Sequence, residues 1–286
     1  MDTGFETLIQ PGELAQRLGA PNWRLFDCRF DLADTARGEA AHAAGHLPGA
    51  FYAHLDRDLS GPITPDSGRH PLPDPERLTA WLGAHGVDHD TQVVVYDDSG
   101  GTMAVHLWWL LRWLGHDHVA LLDGGWQAWQ AAGLPVETTA PAAVPARTFD
   151  GHANPAQVVG SATLAAQVSA GRDDLLVMDA RTPERFRGEK EPIDPVAGRI
   201  PGAVNLPLGL NLAADGRFRP ARELRELYVP RIGERRPDTV VAMCGSGVTA
   251  CHNLLAMKIA GLDGGRLYAG SWSEWIRDPA RPVARG

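Results

Sequence analysis

Cysteine is scarce in this chain: Cys28, Cys244 and Cys251 are the only three in 286 residues. Three cysteines do not make a disulfide-stapled scaffold, and there is no CxxC pair and no ligand set at zinc spacing. No metal site and no cofactor are therefore expected. No stretch of about 20 apolar residues occurs, so no membrane-spanning helix is predicted. The N-terminal stretch Met1-Asp2-Thr3-Gly4-Phe5-Glu6 is acidic and lacks the apolar centre of a secretory leader. Positive charge is short as well. The formal net charge is −8 and no basic stripe appears, which argues against nucleic acid or an anionic membrane as the main partner. An anionic substrate would need local positive charge to overcome that field. Together these absences point to a soluble protein of a reducing cytoplasm. What is present is ample material for a core, with 44% hydrophobic and 22% charged residues. The length favours one large or two ordinary domains.

The chain repeats itself. Phe26-Asp27-Cys28-Arg29 resembles Met178-Asp179-Ala180-Arg181, and Gly45-His46-Leu47-Pro48-Gly49-Ala50 resembles Gly198-Arg199-Ile200-Pro201-Gly202-Ala203. The run from Val94 to Thr102 resembles the run from Val241 to Thr249, and Asp123-Gly124-Gly125-Trp126 resembles Ala269-Gly270-Ser271-Trp272. The offsets are 152, 153, 147 and 146 residues, in the same order. A period this long indicates duplication of a whole domain rather than a solenoid. Between the copies, Pro135 to Pro145 is rich in proline and small residues and reads as a semi-extended linker. The division expected is a first domain over 1–140, a linker over 141–155 and a second domain over 156–286.

Each copy alternates apolar runs with helical patterns. In the first, strands are predicted at Gln92–Tyr96 and Val119–Leu122, with helices at Met103–Leu114 and Gly125–Ala132. Asp74-Pro75-Glu76 signals a further helix start, with Asp74 as the cap and Pro75 at the first helical position. In the second copy, strands are predicted at Leu175–Asp179, Thr239–Met243 and Arg266–Tyr268. Helices are predicted at Ser161–Ala170, Pro220–Tyr228 and Val248–Ala260. This alternation predicts an α/β fold: in each domain, a mostly parallel sheet with helices on both faces. Sites in such sheets lie at the C-terminal ends of strands.

Cys244 falls at such an end, in Val240-Val241-Ala242-Met243-Cys244-Gly245-Ser246-Gly247-Val248-Thr249-Ala250. Between a strand end and a helix start, backbone N–H groups and the helix dipole favour an anion, here a thiolate. Gly245 and Gly247 let the backbone curl so that amides point inward. The plainer alternative is a buried cysteine before a glycine turn. The equivalent position in the first copy is Asp97, which cannot perform thiol chemistry. One copy is thus armed and the other silent, and replacing Asp97 is expected to leave turnover nearly unchanged. Asp97 and Asp98 could also form a metal or acid–base pair, but a capped or solvated strand end is the preferred reading.

The order of these motifs over nearly the whole chain resembles the two-domain rhodanese family of sulfurtransferases. Within it, the Cys244-Gly245-Ser246-Gly247-Val248-Thr249 loop is similar to that of the members that use 3-mercaptopyruvate, whereas thiosulfate-using members more often carry basic residues there. The resemblance implies a persulfide relay in which Cys244 takes a sulfur from 3-mercaptopyruvate or thiosulfate. It then passes the sulfur to cyanide or to a thiol, such as thioredoxin or a low-molecular-weight thiol. It further implies loop contacts to the donor from Gly245, Gly247, Val248 and Thr249, and a donor-binding arginine at Arg185. Ser246, His70 and Asp58 match the members of a cross-domain proton relay, with the histidine and aspartate contributed by the first domain. Mercaptopyruvate-using members carry a second arginine a little further on. The corresponding stretch, Glu189-Lys190-Glu191-Pro192-Ile193-Asp194-Pro195, has none, and Lys190 or Arg199 would have to replace it.

Two rival readings are weighed against this one. Cysteine-dependent phosphatases place an arginine six positions after the cysteine; that position is Ala250 here, with no guanidinium to clamp a phosphoryl group. A non-catalytic sulfur carrier would accept one sulfur and stall without a dedicated partner. Cys251 and Cys28 read as buried structural cysteines, the tryptophans of 108–113 as helix packing, and Trp272 as a possible wall of the cleft.

Overall fold

The computed structural model describes residues 4–286. Met1, Asp2 and Thr3, part of the N-terminal stretch read above, lie outside the described residues. The chain divides into two compact units. The first comprises the chain up to Gly61, Pro73–Asn154 and Asp215–Arg217; the second comprises Pro62–Leu72, Pro155–Ala214 and Phe218–Gly286. The segment 62–72 therefore packs with the second unit, although it precedes most of the first in sequence.

The first unit contains β1 (Leu8–Ile9), α1 (Pro11–Ala15), β2 (Trp23–Asp27), α2 (Arg37–Ala44), β3 (Phe51–Tyr52), α3 (Pro75–Ala84), β4 (Gln92–Tyr96), α4 (Ala104–Trp113), β5 (Val119–Leu122) and α5 (Gly125–Ala131). Its strands form one sheet in the order β1-β5-β4-β2-β3, parallel throughout. Central β4 is buried along its whole length, as an unbroken Val-Val-Val run covered on both faces requires. The Asp74 carboxylate caps α3, accepting from the Arg77 N–H at 3.0 Å. Of the stretch read as a linker, residues 141–154 run without helix or strand along this unit: the Arg147 N–H donates to Gly83 O, the Asn154 N–H donates to Trp113 O, and Phe149 is buried.

The second unit contains α6 (Ser161–Ser169), β6 (Leu176–Asp179), α7 (Pro183–Arg187), β7 (Val204–Asn205), α8 (Ala221–Ile232), β8 (Val240–Met243), α9 (Cys251–Ile259), β9 (Arg266–Leu267) and α10 (Ser271–Trp275). Its sheet runs β7-β6-β8-β9, again all parallel. Val158 bridges Leu267 in parallel where β1 lies beside β5 in the first unit. Each sheet thus has the predicted parallel character.

The duplicated motifs prove to be matching structural ties. Arg29 pairs with Asp27 at 2.5 Å and donates to Gly45 O at 2.6 Å; Arg181 pairs with Asp179 at 2.7 Å and donates to Gly198 O at 2.7 Å. In each unit a buried guanidinium, satisfied by a carboxylate and a carbonyl, pins the Gly-x-x-Pro-Gly loop to the strand end. Each also stacks on a tryptophan, Arg29 over Trp126 at 4.5 Å and Arg181 over Trp272 at 4.6 Å. Trp272 is fully buried and its indole N–H donates to Val196 O. The reading of Trp272 as a cleft wall is therefore corrected: it is a core residue.

Candidate active site

Cys244 follows β8 directly and is 2% exposed. Four observations fix its surroundings. Its backbone N–H donates to Ser271 Oγ at 3.0 Å, and its sulfur accepts the Gly247 N–H at 3.2 Å. Gly247 has φ +86°, and a Cβ there would meet Ala269 O at 2.2 Å. Only glycine lets that amide turn back onto the sulfur. The helix after the loop begins at Cys251, three residues later than the periodicity predicts. Residues 244–250 are used instead to curl the backbone around the sulfur.

Ser271 is one residue that sequence reasoning missed. It is the one non-glycine at positive φ among the described residues, at +52°, a conformation costing about 1–2 kcal/mol for a side-chain-bearing residue. Its hydroxyl donates to Tyr268 O at 2.8 Å while accepting from Cys244. The signal was available in the repeat, since the equivalent position is Gly125, also left-handed at +55°. Replacing a permissive glycine by serine introduces strain and places a hydroxyl under the cysteine backbone.

The equivalent loop of the first unit displays what such a backbone does with an anion. The Asp97 carboxylate is fully buried and accepts N–H bonds from Ser99, Gly101 and Met103 at 2.8 Å and from Ala104 at 2.9 Å. Burial still pushes its carboxyl above the ordinary range, against the pull of those four donors. Asp97 is thus a capped strand end.

His70 and Ser246 meet inside the second unit: His70 Nδ1 lies 2.8 Å from Ser246 Oγ, and both are buried. The sequence placed His70 in the first domain; the structure packs its segment with the second unit, where the Arg69 N–H donates to Ser273 Oγ and Arg277 to Ser67 O. Asp58 lies in the first unit. Its carboxylate accepts the His54 N–H at 2.9 Å and faces Arg57 Nε at 3.5 Å.

Arg185, on α7, is 15% exposed and held by two carboxylates, Glu191 at 2.7 Å and Asp194 at 3.2 Å. Burial opposes charge on Glu191, but the Arg185 guanidinium and the N–H groups of Asp194 and Ile193 outweigh it and hold the carboxyl below its usual range. The guanidinium turns toward the cysteine loop: a Cβ on Gly245 would sit 3.4 Å from Arg185 Nη2. Val248 is buried and Thr249 half-buried, their carbonyls accepting from Cys251 and His252 at the start of α9. Lys190 is exposed. Arg199 is engaged elsewhere, donating to Gly286 O and lying over the Phe186 ring. Cys251 and Cys28 are buried, and burial pushes both thiols well above the ordinary range. Among the described residues no cluster of metal-ligating side chains occurs, and no helix is long and apolar enough to cross a membrane.

Comparisons with known proteins place the whole chain. A model of the rhodanese-like domain matches twice, over residues 10–132 and 162–278. A protein of Pseudomonas aeruginosa named "Probable 3-mercaptopyruvate sulfurtransferase" is 50% identical over 281 residues, 98% of each chain. The thiosulfate sulfurtransferase of Gallus gallus is 34% identical over 276 residues, 92% of this chain and 89% of its own. Among solved structures, the 3-mercaptopyruvate sulfurtransferase from Leishmania major superposes with a TM-score of 0.84 at 32% identity, covering 96% of this chain and 76% of that one. With both repeats matched and relatives aligned from end to end, this chain belongs to the two-domain rhodanese family of sulfurtransferases.

Proposed function

We propose that the enzyme moves a sulfur from 3-mercaptopyruvate to a thiol or cyanide acceptor through a persulfide on Cys244. The Cys244 thiolate attacks the donor sulfur. The donor carbon–sulfur bond breaks, its electron pair passes to carbon, and the thiol proton ends on the methyl group of pyruvate. An acceptor thiolate or cyanide then attacks the outer sulfur, and the S–S electron pair returns to Cys244. The terminal sulfur of the intermediate is an anion next to the curled loop. The way the Asp97 carboxylate is held by four amides in the first copy supports the equivalent amides of Ser246, Val248 and Ala250, together with that of Gly247 already on the sulfur, as its cradle.

The observation that favours 3-mercaptopyruvate over thiosulfate is the 2.8 Å contact between Ser246 and His70. Breaking a carbon–sulfur bond leaves a carbanionic carbon that needs a proton. Thiosulfate leaves as sulfite and needs none. A buried hydroxyl–imidazole pair beside the nucleophile serves the first reaction and is superfluous to the second. Asp58 enters this reading only through the family resemblance, as do thioredoxin or a small thiol as acceptor.

The test is kcat/KM for both donors on one preparation, with pyruvate and sulfite release followed separately. A preference of about tenfold or more for 3-mercaptopyruvate is expected. A preference for thiosulfate would overturn the donor assignment, and failure with both would overturn the reaction. His70→Gln is expected to lower turnover of 3-mercaptopyruvate by about a hundredfold while leaving thiosulfate turnover within a few-fold. An equal loss with both donors would remove the proton-handling role.

A further inference from the structure

Two guanidinium groups, not one, face the cysteine loop. A Cβ on Gly245 would meet Arg69 Nη2 at 3.1 Å, closer than Arg185 Nη2 at 3.4 Å. A single buried carboxylate orients both: Asp194 takes Arg69 Nη1 on one oxygen at 2.5 Å and Arg185 Nη2 on the other at 3.2 Å. Arg69 is the neighbour of His70, and its backbone is anchored to Ser273. Its Nε is buried without a hydrogen-bond partner, an unmet donor on a group otherwise held in place. The side chain also borders a cavity of about 370 Å³ lined by Ile193, Asp194, Ile276 and Arg277 among others, a volume suited to a small molecule.

The charges make Arg69 consequential. Arg69, Arg185 and Arg181 share the carboxylates of Glu191 and Asp194, and Arg181 is also paired with Asp179; without Arg69 this group of three guanidiniums and three carboxylates would be net negative beside the cysteine loop. The stretch 189–195 contains no arginine of its own, so the second positive charge comes from a segment more than a hundred residues earlier in sequence.

We propose that Arg69 is a donor-binding residue: with Arg185 it holds the anionic end of the sulfur donor beside Gly245 and so sets the preference for a carboxylate-bearing donor. The reaction class rests on the function proposed above; the anion site does not, because it can be probed without sulfur transfer.

Two variants, Arg69→Met and Arg69→Lys, test it with two readouts. In steady state with 3-mercaptopyruvate, Arg69→Met is expected to raise KM by about tenfold to a hundredfold, the loss of one charge-assisted contact, with kcat changed less than threefold. Arg69→Lys should recover part of the loss, because it keeps the charge but not the planar fork. Independently, alkylation of Cys244 by iodoacetate and by neutral iodoacetamide reports the local field. The ratio of the two rates should fall about tenfold in Arg69→Met, by the same loss of one charge-assisted contact, while the iodoacetamide rate stays near wild type, which also shows the loop intact. A wild-type rate ratio in Arg69→Met would overturn the inference even in an active enzyme. A wild-type protein inert to both donors would overturn the proposed function while the rate ratio still decided the role of Arg69.

Discussion

Cys244→Ser is expected to lose sulfur transfer by about three orders of magnitude or more, with no protein-bound persulfide detectable by mass after mixing with donor. Serine at 244 keeps the shape of the side chain at a slightly smaller size, the backbone N–H bond to Ser271 and an acceptor for the Gly247 N–H, so the melting temperature should stay close to that of the wild type. What is lost is the nucleophile: a hydroxyl is not ionised near neutral pH and does not form a stable bond to a second sulfur. The neighbouring cysteine offers no rescue. Cys251 is fully buried, its thiol is pushed well above the ordinary range by burial and by Cys244, and it donates to Gly247 O. Retention of more than a tenth of the activity in Cys244→Ser would dismiss the persulfide mechanism.

The second large effect concerns stability and falls in the silent unit. Asp97→Ala is expected to leave kcat/KM nearly unchanged at 25 °C yet lower the melting temperature on the order of 10 °C. Alanine removes the common acceptor of four buried N–H groups. Leaving buried donors unmet costs about 3–5 kcal/mol when the partner was charged, and each kcal/mol lowers the melting point by about 2–4 °C in a domain of this size. The carboxyl also carries a pH signature. Its folded pKa is raised, so the folded state holds the proton more tightly than the unfolded chain does. The stability from that proton is fully present below the ordinary aspartate value and is lost as pH rises through the raised one. Differential scanning calorimetry of both proteins across pH checks both statements; a shift below about 2 °C would show that the carboxylate does not hold the loop.

Much of the fold, and the candidate loop, is legible in the sequence, and the reasons are local. Strand β4 reads as Gln-Val-Val-Val-Tyr and β5 as Val-Ala-Leu-Leu, runs that only a covered parallel strand accommodates, and both have the predicted limits. The cap at Asp74 is a contact three residues long. The duplication exposed Cys244 by contrast with Asp97 at the same loop position. What stayed hidden depends on pairs far apart in sequence: His70 with Ser246, Arg69 with Asp194, Cys244 with Ser271. Arg69 carries no signal in the sequence, because nothing in its neighbourhood says that Asp194 and Gly245 lie against it. Trp272 suggested a cleft wall and proved to be core, since the cation over its face is the structural Arg181.

The sequence by itself determined the duplication and the parallel α/β architecture, and it singled out the loop and the cysteine proposed here as the nucleophile. Those features are written in periodicity, in glycine placement and in comparison of the chain with itself. Only the tertiary structure decided which unit holds His70, how a serine hydroxyl and a strained φ angle seat the cysteine, and that two guanidinium groups converge on Gly245. Such arrangements come from burial and charge satisfaction among segments that the chain connects only after folding, where a single carboxylate such as Asp194 can orient arginines from opposite ends of the sequence.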